Sequence, residues 1–383
     1  MRNVMLRGRN EGEMLRFFFR LRLDLGTMST QKPRILTGDT PTGQLHLGHW
    51  VGSLENRVAL QDEYECFFLI ANMHAFTTRA DKPEEIRRST IDIVKDWIAC
   101  GMDPERSTFV LQTEIPGIAE LTWYLAMLLP FNRVMRNPTL KTELETKGLG
   151  DNYSFGFPMY TVGQCADILL FRPELVPVGE DQLAHIEPCR EVARRFNQMY
   201  CGVNPHTEDE DYVKEGGLFP IPAGKVGRVA RLVGTDGVNK MSKSLNNTIL
   251  LTDTFKKIKK KMGGLYTGRT AMDEPGDIKN ALFDYVRAFI SDEDRVKALE
   301  EAYSKGDNIG DGHIKVEIAE HIDKLLEPMR ERRLPFEGEA GDAKILEILR
   351  EHTKRANNAA EETLYLAKEA MQLDFGKRNL SFD

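Results

Sequence analysis

Cysteine is scarce and poorly spaced for a structural framework. The five residues stand at 66, 100, 165, 189 and 201, an odd number with no C-x-x-C pair and none beyond 201. That pattern argues against a disulfide scaffold or a zinc ribbon and for buried free thiols in a reducing cytosol. Long apolar runs are missing too: no window approaches the roughly 18 continuous apolar residues of a membrane span. Positive charge is not in excess, since 52 Lys and Arg against 59 Asp and Glu leave a net −7. A uniformly basic, histone-like nucleic-acid binder is excluded, but local basic patches are not, because the phosphate backbone responds to nearby charge. What is there, 41% hydrophobic and 29% charged residues over 383 positions, supplies an ordinary globular core. At roughly 150 residues per domain it has room for more than one.

Residues 1–28 differ from the rest, with six arginines, a Phe17-Phe18-Phe19 run and no secretory apolar segment. An Arg-rich presequence is opposed by Glu11, Glu13 and Asp24, so this stretch reads as a disordered leader or non-native extension, with the working chain starting near Met28.

From Arg34 the pattern is regular. Arg34–Gly38 reads as a strand, followed by the turn Pro41-Thr42-Gly43 and a helix over Leu45–Leu60. Cys66–Ile70 is a second strand, and Lys82–Cys100 a helix opened by Pro83 and stopped by Gly101. Thr108–Gln112 is a third strand. Residues 117–160 interrupt this rhythm as an insertion with a long apolar helix, Leu121–Leu129, and a loop near 145–156. Glu174–Val178 resumes the sheet, and Asp181–Tyr200 reads as a helix. Beyond about 250 the signal is helical throughout. The expected fold is therefore α/β: a Rossmann-like doubly wound parallel sheet over 29–250, with a C-terminal all-α domain over 251–383.

Two short motifs carry the chemistry. His46-Leu47-Gly48-His49 sits where the first helix starts, and a helix N-terminus presents unpaired N–H groups to phosphate. Lys240-Met241-Ser242-Lys243-Ser244 lies between glycines and suits a clamp on a polyphosphate, neutralising charge on a leaving pyrophosphate. Either alone is weak: the first reads equally as two surface histidines, the second as a solvated basic loop. Together they resemble the signature of class I aminoacyl-tRNA synthetases. Val178-Gly179-Glu180-Asp181-Gln182, with His185 and Glu187, resembles the tryptophanyl branch of that class. So do Asn72-Met73-His74-Ala75-Phe76-Thr77, where Asn72 departs from an aspartate, and Thr113-Glu114-Ile115-Pro116.

The resemblance implies ATP-dependent activation of L-tryptophan, then transfer to the terminal adenosine of tRNA(Trp), with Mg2+ accompanying ATP. It implies catalytic roles for His46, His49, Lys240 and Lys243. ATP would meet Thr40, Pro41, Thr42, Gly48, His49, Gly179, Glu180, Asp181, Val229, Lys240, Met241, Ser242, Lys243 and Ser244. Asp167 would accept the indole N–H of tryptophan, in a pocket of Leu36, His74, Tyr160, Gln164, Val176, Val178 and Gln182. Tyr160, Gln164 and Asp167 also resemble the Y-x-x-x-Q-x-x-D of tyrosyl enzymes, which keeps tyrosine open as the substrate. A paralogue turned to binding or regulation is the third alternative, opposed by two whole motifs. The resemblance further implies a cytoplasmic homodimer built on the insertion and no membrane contact. The helical domain would read the anticodon, its clusters Lys256–Lys261 and Arg330–Arg333 being candidate RNA contacts. Some tryptophanyl enzymes hold an iron–sulfur cluster there, but without cysteine beyond 201 this chain lacks the ligands.

Overall fold

The computed structural model describes residues 32–146, 152–179, 183–229, 232–269, 271–307 and 309–375. The leader over 1–28, the middle of the expected 145–156 loop, Glu180, Asp181, Gln182 and the side chain of Ser244 lie outside the described residues. Five parallel strands form one sheet: β1 (Arg34–Asp39), β2 (Glu65–Ile70), β3 (Ser107–Leu111), β4 (Leu175–Val178) and β5 (Ala223–Val226). Their spatial order is β3-β2-β1-β4-β5, with the reversal of direction beside β1 that defines a doubly wound sheet.

Alternation along the strands sends side chains to two faces. Ile35, Cys66, Phe68 and Phe109 enter one apolar cluster; Leu36, Phe67, Leu69, Val110 and Val176 enter the other. The first face is covered by α1 (47–60) and α3 (Pro83–Cys100), with α2 (Asn72–Arg79) between them in the chain. The second is covered by α4 (Pro116–Ala126) and α7 (Gly156–Leu169), which flank the shorter α5 (Phe131–Met135) and α6 (Pro138–Thr146), and by α8 (Leu183–Phe196). β5 was not expected from the sequence. Its residues are mostly exposed, so it has no hydrophobic alternation, and it forms by pairing with β4 from Leu175–Ala223 to Val178–Val226.

The first helix is not uniform. Leu47–His49 is α-helical, Trp50–Leu54 is a π turn, and Glu55–Leu60 is α-helical again. All five residues of the π turn are buried.

After residue 250 come α9 (Phe255–Gly263), α10 (Ala281–Phe289), α11 (Glu293–Lys305), α12 (Asp311–Arg333) and α13 (Gly338–Ala370). The apolar core continues across residue 250, joining Ile258, Ile314 and Ile345 to Ile35 and Trp97. α13 runs along the open edge of the sheet: His352 Nδ1 accepts the Phe109 backbone N–H at 2.9 Å, and Asn357 Nδ2 donates to Glu114 O at 2.9 Å. The Arg330–Arg333 cluster differs from the expected RNA face. Arg330 donates to Asp253 O at 2.9 Å and Arg332 to Ala99 O at 2.7 Å, while Arg333 is 5% exposed between Asp92 and Asp96. These guanidinium groups fasten helices together, because buried carboxylates and helix-end carbonyls claim them first.

Candidate active site

β1 ends at Asp39, whose carboxylate receives Arg57 Nη1 at 2.6 Å, Arg57 Nη2 at 3.0 Å and the Trp97 indole N–H at 2.9 Å. Burial pushes this carboxyl up, but the Arg57 charge and its hydrogen bonds win, and Asp39 is held below the usual carboxylate range. The chain then turns through Thr40, Pro41, Thr42 and Gly43 to His46, at the start of α1. The His46 and His49 rings lie 3.8 Å apart between centroids, and the His46 backbone N–H donates to His49 Nδ1 at 3.2 Å. Burial, the facing ring and the Lys243 and Lys240 charges hold His46 down at about 2. Burial likewise holds His49 at about 4, against the pull of Asp39. Both rings are neutral at pH 7 and offer hydrogen bonds without prior charge. A Cβ on Gly48 would sit 3.1 Å from the His46 ring, so glycine leaves this helix start open to a phosphate.

The K-M-S-K-S loop closes over the same place. Met241 is 2% exposed and its N–H donates to Leu232 O at 3.1 Å. Asn247 is the internal brace: its Oδ1 accepts the Ser242 N–H at 2.7 Å, and its Nδ2 donates to Asp236 at 2.9 Å and to Lys240 O at 3.2 Å. A Cβ on Gly234 would overlap the Asn247 side chain, which explains that glycine. Leu47 N–H donates to Ile249 O at 2.9 Å and Leu251 N–H to Leu45 O at 3.1 Å, stitching the loop's exit to the start of α1. Lys243 Nζ donates to Thr42 Oγ1 at 3.3 Å. Two motifs remote in sequence thus share one cradle, with Lys240 exposed at its rim.

A second set of residues gathers around Asp167 on α7, which is 1% exposed. Gln112 Nε2 donates to both carboxylate oxygens, at 2.8 and 3.0 Å, and to His74 Nε2 at 3.1 Å. With Nε2 accepting, the His74 proton sits on Nδ1, 3.6 Å from Asp167 Oδ2. Burial pushes the Asp167 carboxyl up to about 7, the Gln112 bond opposing it. Burial lowers His74 to about 4, helped by His185. Tyr160 is half-buried, its ring 5.9 Å from that of His74 and its hydroxyl 3.2 Å from Glu143. Leu36 and Val176 are buried on the same sheet face as α7, with Val178 packed against them; Gln164 is half-buried on that helix. Val229, half-buried, packs against the opposite cluster. Of the expected ATP residues Gly179, Glu180 and Asp181, Gly179 alone lies among the described residues.

Sequence reasoning missed Gln112. Besides holding Asp167 and His74, its Oε1 accepts the Met73 and His74 backbone N–H groups at 3.0 and 3.3 Å, fixing the start of α2. The available signal was a polar residue just beyond the carboxyl end of a buried parallel strand, where doubly wound sheets bind ligands. The Asn72 departure is absorbed locally: Asn72 Nδ2 donates to Thr113 Oγ1 at 2.8 Å, and Asn72 Oδ1 accepts the Thr113 N–H at 3.1 Å. Arg133 is paired with Glu191 at 2.6 Å.

A doubly wound sheet whose first strand–helix turn carries H-L-G-H, capped by a K-M-S-K-S loop, defines a class I aminoacyl-tRNA synthetase. Within that class the chain belongs to the family described as tRNA synthetases class I (W and Y), which matches residues 28–327. It is 41% identical over 354 residues to the tryptophan–tRNA ligase of Streptococcus agalactiae, covering 90% of this chain and 99% of that one. It is 40% identical over 354 residues to that of Streptococcus mutans, with the same coverage. Among solved structures, the tryptophanyl-tRNA synthetase of Campylobacter jejuni, complexed with ADP and tryptophan, superposes with a TM-score of 0.72 at 31% identity, covering 89% of this chain and 100% of that one. The tyrosyl-tRNA synthetase of Archaeoglobus fulgidus, at 23% identity and a TM-score of 0.59, shares the fold over 82% of this chain and 93% of its own.

Proposed function

We propose that this enzyme is a tryptophan–tRNA ligase, with Asp167 as the group that recognises the indole. A carboxylate oxygen of tryptophan attacks the α-phosphorus of ATP; the bond to the bridging oxygen breaks and pyrophosphate leaves. A hydroxyl of the terminal adenosine of tRNA(Trp) then attacks the acyl carbon and releases AMP. His46, Gly48, His49, Lys240 and Lys243 surround the phosphates, with Thr40, Pro41 and Thr42 along the nucleotide. Among the described residues no group of His, Cys, Asp or Glu is placed to hold a metal. Mg2+ would accompany ATP as the counter-ion of its phosphate oxygens.

The observation that carries the reading is Asp167 itself. Its partners, the Gln112 amide and the His74 ring, are both neutral at pH 7, so the buried acceptor suits a donor-only indole N–H. Phenylalanine offers this carboxyl no donor in place of the indole N–H, which selects against it. Parallel aminoacylation with labelled tryptophan and labelled tyrosine tests the substrate, and charging with tyrosine alone overturns it. Asp167→Ala is expected to lower tryptophan activation by about 100-fold while the protein still melts cooperatively. Unchanged activity removes Asp167 from the site.

The assembly belongs to the same proposal. Trp123 and Met127, one turn apart, and Phe131 are 62%, 74% and 62% exposed, an apolar surface suited to a second copy of the chain. Lys256, Lys257, Lys259 and Lys260 are exposed on α9 and suit the tRNA. Residues 251–383 would read the anticodon. The cytoplasm is the compartment that fits, and no described helix is long and apolar enough to cross a membrane.

A further inference from the structure

Asp96 on α3 is 1% exposed, and its Oδ2 accepts the backbone N–H of Leu45 at 2.9 Å, one residue before His46. Its Oδ1 faces Arg333 Nε at 3.2 Å, a charge contact rather than an aligned hydrogen bond. The next residue, Trp97, donates to Asp39, one residue before Thr40. Two consecutive side chains of one helix thereby fasten both feet of the 40–44 loop, and the Asp96 charge also reaches Lys243, which touches Thr42 within that loop.

We propose that Asp96 is a positioning residue for ATP, holding the exit of the 40–44 loop, and that Arg333 aims it, so that ATP use depends on how α12 is seated. An N–H bound to a carboxylate is stronger and more directional than one bound to a neutral oxygen. Arg333 keeps that carboxylate charged. Burial pushes Asp96 up to about 6 and Asp92 adds to this, while Arg333, the Leu45 N–H and Lys243 pull it down. Without Arg333 the acid takes up its proton at a higher pH, and the bond to Leu45 weakens. Movement of α12 would reach the nucleotide through one ion pair.

The inference rests on the 40–44 loop being the ATP loop. Tryptophan-dependent pyrophosphate exchange with the full-length protein, read as separate KM values for ATP and tryptophan, tests both. Asp96→Ala is expected to raise the ATP KM about tenfold and leave the tryptophan KM within about twofold. Asp96→Asn, which keeps an acceptor for Leu45, and Arg333→Gln are expected to raise the ATP KM by about threefold. If Asp96→Ala does not fold, those two variants decide. Folded variants with an unchanged ATP KM, or with both KM values shifted alike, overturn the proposal. Thr42→Ala separates the two readings. If it too leaves the ATP KM unchanged, the loop assignment fails and the inference falls with it; if it alone raises the ATP KM, only the role of Asp96 falls.

Discussion

Asp39, half-buried at the end of β1, and Asp167, buried on α7, are carboxylates that their neighbours drive in opposite directions. Arg57 and Trp97 keep Asp39 ionised, whereas Asp167 meets only neutral partners and rises to about 7. Asp167 moves from 3.8 to about 7 on folding, so the native state holds the extra proton across that window. Stability from this group is therefore full below about pH 4 and is lost as pH rises through about 7. Asp167→Asn removes the dependence. Its thermal midpoint is expected to exceed the parent's by more at pH 8 than at pH 5, and an equal offset at both would refute the assignment. Asp167 and His74 were legible because they stand in recognisable motifs. Gln112 was not, because its importance arises only when the start of α2 folds back against the end of β3.

At the scale of elements, the K-M-S-K-S loop owes its shape to Asn247, which ties Ser242, Lys240 and Asp236 together. Asn247→Ala breaks those bonds. The rate of tryptophanyl-adenylate formation is expected to fall about tenfold, with the tryptophan KM unchanged in pyrophosphate exchange. A matching rise in the tryptophan KM would place the damage elsewhere. Helix limits were readable where chemistry marks them, as with Pro83 and Gly101 around α3. β5 was unreadable because its partner strand, rather than its own pattern, makes it a strand. The Arg330–Arg333 cluster misled for a related reason: a run of like charge does not say which of its members turn inward.

At the scale of the whole molecule, α13 covers the outer edge of β3 and pairs its Phe109 N–H through His352. A bare edge strand next to apolar surface invites pairing with other chains. A fragment ending at residue 337 is therefore expected to aggregate, and sedimentation of the fragment beside the full chain checks this. A monodisperse, folded fragment would show that the edge needs no cover. Alternating strands and helices made the α/β fold legible, and the late helices too. Where α13 lies was not, since periodicity reveals that a helix has an apolar face without naming what it covers.

The π turn at Trp50–Leu54 restricts how the gene for this enzyme can change length. Losing a single codon there would let the helix run regularly, yet rotate everything after it by about 100°. Arg57 would swing away from Asp39, and the His46–His49 turn would lose its buried support. A segment that looks tolerant of one residue more or less is thus closed to insertion and deletion, while substitutions that keep its bulk remain open.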